Sequence, residues 1–262
     1  MRANPRQRPA LAVRSTTPWS TLGQELERAA AIQRALLPPC FHAGVRFELA
    51  AAIRPCRETC GDFFDYADTN GDLRVVVGDV CGKGVPAALQ AAVVQGILAI
   101  EAEAGSGPAN VVRQLNRTLC RRPLPYSYVT LFYAVVTGDH RLTYSNAGHC
   151  RPLLVTGDTV QELAAGGPPA GLFADAQYEE EPIAIGQGDV LLIVSDGITE
   201  AAKASASRRE DFGDARLIQL LRAHHHSSAR VVLDRVLADV SAFTNGGPPQ
   251  DDMTAVVVRC RE

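Results

Sequence analysis

The stretch VVVGDVCGKGVPAALQAAVV, Val75 to Val94, runs three valines into Gly78 and Asp79, turns through two glycines around Lys83, and enters an alanine-rich apolar run opened by Pro86. Consecutive β-branched residues favour a strand, and proline suits the first turn of a helix. The stretch therefore reads as strand, glycine turn and helix, with a lone acid at the junction. A phosphate-cradling loop, a metal-binding strand end and a plain polar turn compete to explain that acid. A P-loop needs G-x-x-x-x-G-K-[ST], whereas here the glycine before Lys83 comes one residue too soon and no hydroxyl residue follows. Nor does the turn match G-x-G-x-x-G.

Working outward, FFDYADT and LRVVVGDV flank Thr69-Asn70-Gly71-Asp72, and the Asn-Gly pair signals a tight hairpin. VRFELAAAIRP precedes them as a further strand. Helices are predicted over about 86–103, nearly apolar all round, and about 108–121 after a Gly-Ser-Gly-Pro break. Strands follow at YVTLFYAVVT, RLTYSNAG, RPLLVT and TVQELA, then a loop AGGPPAGLF, then strands at YEEEPIAI and DVLLIVSD. Helices near 214–224 and 228–243 and a closing strand MTAVVVRCR complete the chain. Hairpin-linked strands with grouped helices indicate an α+β protein rather than alternating βαβ units.

Thr21 and Gln24 have capping-box spacing, and Leu22, Leu26, Ala29, Ile32 and Leu36 recur at helical intervals until Pro38 and Pro39 stop the run. This predicts a helix over about 21–37, whose apolar stripe either packs on the following domain or pairs with a second copy. The first twenty residues are basic but lack the apolar core of a secretory signal, and read as a flexible arm.

With 262 residues, 46% of them hydrophobic, the chain can bury a substantial core. A net charge of −3 offers no general field for nucleic acid. No apolar run is read as long enough to cross a bilayer. Seven scattered cysteines, without a C-x-x-C pair, fit a reduced compartment, so a soluble cytoplasmic protein is expected. Cys56 and Cys60 are read as ordinary thiols rather than a zinc site.

Acids gather at element ends: Asp62 and Asp65, Asp79, Asp196 and Glu200, Asp251 and Asp252. Most adjoin apolar strand runs or carry a flanking glycine. Massed carboxylates raise one another's pKa, a penalty that a divalent cation removes, and all-oxygen ligation suits Mg²⁺ or Mn²⁺.

Seven segments then stand in a familiar order: IQRALLPP, CGDFFDY, VVVGDVCGKGVPAAL, YVTLFYAVV, YSNAGHCRPLL, LLIVSDGITEA and DDMTAVVV, spanning about residues 31–258. Together they resemble the metal-dependent PPM (protein phosphatase 2C-like) phosphatases, specifically the bacterial SpoIIE/RsbU branch. The resemblance implies a four-layer α/β/β/α sandwich, with two central, mostly antiparallel sheets and a dinuclear Mn²⁺ or Mg²⁺ site at one end. It implies that Asp62 and Asp79 bridge the metals and serve catalysis through a bridging water, with the Val80 carbonyl, Asp196 and Asp251 as further ligands and Asp252 outside the ligand shell. It assigns residues 21–39 to a regulatory linker helix and 40–262 to the catalytic domain. It further implies hydrolysis of phosphoserine or phosphothreonine on a signalling protein, a STAS-domain anti-sigma factor antagonist, with a homodimer formed through the N-terminal helix. A pseudophosphatase that binds without turnover and a hydrolase of small phosphate esters are the alternatives. No organic cofactor, nucleic-acid or membrane partner is implied.

The chain departs from the family's Gly-Gly-Asp with Cys60-Gly61-Asp62, and lacks a firm counterpart of a phosphate-binding arginine, Arg54 and Arg57 being vague candidates. Cys60, Cys81 and Cys150 lack a C-x5-R loop and are read as structural. His149 is read as organising a loop, Lys83 as a solvated turn lysine, and the triplet His224–His226 as positive charge at a helix C-terminus rather than a metal site.

Overall fold

A computed structural model of the chain describes residues 19–103, 105–121, 128–203 and 210–261. Asn70 and Gly71 both take positive φ, 56° and 86°, the backbone that a two-residue primed turn requires. They join β3 (Asp62–Thr69) to β4 (Asp72–Val80), with Thr69 opposite Asp72. Beyond β4 the sheet continues through β5 (Val129–Thr137), β6 (Arg141–Ala147) and β10 (Glu181–Ala184), all antiparallel.

A second six-stranded sheet has the order β1-β2-β12-β11-β7-β8. Its strands are β1 (Phe41–Ala43), β2 (Phe47–Arg54), β12 (Met253–Cys260), β11 (Val190–Val194), β7 (Leu153–Thr156) and β8 (Thr159–Glu162). The C-terminal strand thus lies centrally, between β2 and β11. Side-chain alternation along each strand divides the apolar residues between two layers. Leu49, Phe64, Val75, Val77, Phe132, Tyr144, Ile193 and Val256 meet between the sheets. The other faces are covered by helices. Of these, α2 (Val85–Glu103) and α3 (Pro108–Arg121) pack on Phe63, Val76 and Leu131. On the opposite side α5 (Asp214–His224) and α6 (Ala229–Phe243) cover Ala50, Leu192 and Val257. The result is the expected four-layer α+β sandwich.

Three small elements depart from the sequence reading. β1 is unanticipated. The loop AGGPPAGLF contains β9 (Gly166–Gly167), which runs parallel to β6; a Cβ on Gly166 would lie 1.8 Å from the Asn146 carbonyl oxygen, so glycine alone permits this pairing. A one-turn helix, α4 (Asp196–Thr199), follows β11. A fourth correction concerns α2, which over Val85–Ala102 is long and apolar enough to cross a membrane by length and composition, although here one side of it packs on the sheet.

The predicted N-terminal helix is α1 (Trp19–Leu36). Its inward residues are Ala30, which is buried, and the half-buried Leu26, Ala29 and Gln33. The anticipated stripe is therefore shifted, because Leu22, Ile32 and Leu36 face solvent. The predicted flexible arm lies almost wholly outside the described residues.

Candidate metal centre

The register of β3 and β4 sets Asp62 directly opposite Asp79. Like charges facing across a ladder are destabilising. Alternation places Asp62 on the face of Phe64, and Asp79 on that of Val75 and Val77, so both carboxylates enter the space between the sheets at one end of the sandwich. Asp62 is buried, and burial first, then the Asp79 charge, hold its pKa well above the usual carboxylate range. Asp79 is pushed up to about 7, first by burial and then by the charges of Asp196, Asp251 and Asp252.

The opposite sheet supplies the remaining acids. Ser195 continues the inward face of Leu191 and Ile193 beyond β11, and Thr254 continues that of Val256 on β12. Their hydroxyls donate to the same Asp62 oxygen, Oδ2, at 2.7 and 2.6 Å. Asp196 opens α4, and its pKa is raised by burial and then by Asp251. Gly197 allows this turn to press against the chain before β12, for a Cβ there would lie 2.0 Å from the Asp252 carbonyl oxygen. A cleft of about 170 Å³, lined by Lys83, Asp196, Glu200 and Asp251 among others, opens beside the acids.

Asp252 takes no place in this cleft. Its carboxylate accepts from the Cys56 and Gly61 amides, each at 2.8 Å, and so clamps the loop that delivers Asp62. At Gly61 any side chain would collide with the site: a Cβ would fall 2.6 Å from the Val80 carbonyl oxygen and 3.2 Å from Asp79 Oδ1. The absence of a side chain at Gly61 keeps that carbonyl and the Asp79 carboxylate uncrowded from this side. Lys83 is not a solvated turn lysine. Its ammonium meets Asp251 Oδ2 at 2.6 Å and donates to the Gln250 carbonyl at 3.0 Å, because the glycine turn carries it across to the other sheet.

The donor set of Asp62, Asp79, Asp196, Asp251 and the Val80 carbonyl fits hard divalent ions. In the metal-free protein burial, followed by Asp252, pushes the Cys56 thiol up to about 11, and burial raises the Cys60 thiol still further, so both are neutral thiols there. The sequence profile of the family described as Stage II sporulation protein E (SpoIIE) matches residues 69–261. The chain belongs to the SpoIIE family of PPM-type phosphatases. It is 27% identical to phosphoserine phosphatase RsbU of Bacillus subtilis over 239 residues, covering 90% of this chain and 70% of RsbU. It is 26% identical to protein IcfG of Synechocystis over 265 residues, covering 89% of this chain but only 41% of that longer protein. The SiaA-PP2C domain of Pseudomonas aeruginosa shares the fold, with a TM-score of 0.79 at 22% identity over 92% of this chain and 97% of that one.

For this SpoIIE-family member, sequence reading missed Ser195 and Thr254, which orient Asp62, and Gln33 on α1. The Gln33 amide accepts from the Cys60 amide at 3.1 Å and donates to the Cys60 carbonyl at 2.7 Å, two residues ahead of Asp62. The substituted Cys60 itself is buried, its thiol donating to the Asp62 carbonyl at 3.3 Å. Asp65 lies outside the centre because its odd spacing from Asp62 turns it to the helix-covered face, where it accepts from the Tyr66 amide. His149 exchanges two hydrogen bonds with Asn146 across the Gly148 turn, and burial lowers its pKa to about 4, which keeps it neutral. All seven cysteines are free thiols.

Proposed function

We propose that this chain is a divalent-metal-dependent protein serine/threonine phosphatase acting on a phosphorylated signalling protein, with a STAS-domain anti-sigma factor antagonist as the substrate class. The observation that carries the reading is the Asp62–Asp79 pair, opposed across one hairpin and joined by Asp196 and Asp251 from the other sheet. Four carboxylates at such quarters are unfavourable without a counter-charge. In this reading Asp62, Asp79, the Val80 carbonyl, Asp196 and Asp251 hold two Mn²⁺ or Mg²⁺ ions. Bound there, the ions would supply an acidified water and charge that stabilises the phosphoryl oxygens.

The protein's own part is to pre-organise the ligands. Ser195 and Thr254 occupy one oxygen of Asp62 and aim the other. Asp252 fixes the approach of β3, and Gly61 leaves room at Val80. RsbU, a phosphoserine phosphatase by name, supports the reaction class. A pseudophosphatase is disfavoured because no principal carboxylate is missing. Residues 40–262 form the catalytic domain and 21–39 a regulatory helix in the same reading, supported by the Gln33 bridge to Cys60. The exposed Ile32 and Leu36 are offered to a second copy. A cytoplasmic setting accords with the free thiols.

The test is Mn²⁺-dependent release of phosphate from a phosphoserine-bearing STAS protein, run beside a panel of nucleotides and small phosphate esters. Release is expected from the protein substrate, with loss in Asp79→Asn and Asp196→Asn. Full activity in both variants would overturn the metal assignment. Turnover confined to the small esters would overturn the substrate class. For the helix, deletion of residues 1–37 with unchanged activity and oligomeric state would remove the regulatory assignment.

A further inference from the structure

We propose a second cation site, independent of the phosphatase centre, where the end of α5 meets the tip of the β7–β8 hairpin: His225, His226 and Asp158 bind one transition-metal ion of the Zn²⁺ class. One ligating atom from each of the three residues lies within 4.8 Å of the other two. Consecutive residues inside a helix point to different sides, and on that ground the histidine triplet carries no metal reading from sequence. Here the helix has ended. His225 is the C-cap of α5 and His226 lies beyond it, so the two rings come together with centroids 3.8 Å apart.

The decisive group is His225. The residue is only 5% exposed, and its Nδ1 lies 3.0 Å from the Leu221 carbonyl oxygen. A carbonyl oxygen only accepts, so Nδ1 carries the proton and the lone pair resides on Nε2. That atom is buried and has no hydrogen-bond partner. An orphaned buried acceptor is costly. A ring whose other nitrogen donates to a backbone carbonyl is the usual arrangement of a metal-ligating histidine, because that bond fixes both tautomer and orientation. Two imidazoles and one carboxylate select Zn²⁺ and its neighbours over Mg²⁺. Asp158 and His226 are exposed, which leaves a fourth position to water.

The site stands apart from the phosphatase centre. Val190 pairs with Val155 and Leu192 with Leu153, so the hairpin tip at Gly157 and Asp158 extends past the Val190 end of β11, whereas Ser195 and Asp196 follow its other end. An ion here fastens the edge hairpin of the sheet to the C-terminus of α5, where the helix dipole also favours positive charge.

The test is equilibrium dialysis of the full chain against buffered Zn²⁺ in excess Mg²⁺, which keeps the oxygen-lined centre filled, with zinc counted by mass spectrometry. Asp158→Asn and His226→Gln alter exposed residues and spare the fold, which circular dichroism checks. Each is expected to weaken zinc binding at least about 10-fold, and the double variant to lose one zinc per chain, while Asp196→Asn retains it. Co²⁺ in place of zinc should give the intense visible bands of a tetrahedral site, absent from the double variant. Equal zinc content and affinity in parent and double variant would overturn the proposal. So would a zinc ion lost from Asp196→Asn but kept by the double variant.

Discussion

Asp79 carries the sharpest consequence of the geometry. Without metal its carboxyl titrates at about 7 instead of the ordinary 3.8, so the folded state holds that proton more tightly than the unfolded chain. Linkage gives the sign: the metal-free protein loses stability as pH rises from about 4 to about 7, and the full penalty stands above that range. Asp79→Asn removes the penalty. Its metal-free melting temperature is expected to exceed the parent's at about pH 8, by roughly 2–4 °C for each kcal/mol of penalty removed, and to converge with it near pH 4, while its activity falls at least about 100-fold. A lower melting temperature at the alkaline end would show that the carboxylates are not in conflict. Asp252 has the opposite character, since Asp252→Ala strands the amides of Cys56 and Gly61. Each unsatisfied donor costs about 1–3 kcal/mol, so urea unfolding should register a loss of about 2–6 kcal/mol, and an unchanged midpoint would refute the clamp. Asp62, Asp79 and Gly61 were legible beforehand, as acids and a glycine at the ends of apolar strands. Ser195 and Thr254 were not: they reach Asp62 from 133 and 192 residues away, and an ordinary serine or threonine gives no local sign of which carboxylate it will meet.

Among the elements that carry none of the acids, α1 reaches the segment that leads to Asp62 through Gln33. Gln33 bonds both backbone groups of Cys60, so displacement of the helix frees the segment entering β3. Gln33→Ala should keep the fold at a cost of about 1–3 kcal/mol for each Cys60 backbone group that it strands. It should weaken apparent Mn²⁺ affinity about tenfold, in the manner of other groups that orient a ligand, as read from metal titrations of activity. Undiminished affinity would reduce α1 to a packing element. The apolar recurrence and the two prolines marked this helix in the sequence, yet Thr21 lies inside it and caps nothing, since the helix already runs from Trp19, and its buried side differs from the apolar stripe. A helical stripe shows which residues are apolar, whereas the neighbouring α2 and the loop before β3 decide which of them are covered.

Across the whole molecule, the centre belongs to neither sheet alone. Asp62 and Asp79 come from one, Asp196 and Asp251 from the end of the other, and the core of Phe64, Phe132, Tyr144 and Val256 holds the two in register. Ions that bind only the folded state stabilise it by about 2.7 kcal/mol at one hundred times their dissociation constant. Saturating Mn²⁺ should therefore raise the melting temperature by roughly 5–10 °C, with chelation reversing the gain and Asp196→Asn blunting it. A melting temperature indifferent to Mn²⁺ would contradict a site shared between the sheets. Phe132→Ala, far in sequence from the four proposed ligand carboxylates, should cost about 3–5 kcal/mol and lower metal affinity with it, because it loosens the packing that sets the sheets' separation.

The amino-acid sequence by itself determined the longer strands and helices, the Asn70–Gly71 turn and the acids that end the strands, since backbone propensity and side-chain alternation are local and are written where they act; the short β1, β9 and α4 escaped it. Only the tertiary structure decided that Asp62 and Asp79 face each other, that two hydroxyls converge on one oxygen, that Lys83 meets Asp251, and that His225 and His226 turn toward Asp158. Each of these depends on a distance across two packed layers or past the end of a helix, and a distance of that kind is set by how the cores fill rather than by the order of residues along the chain.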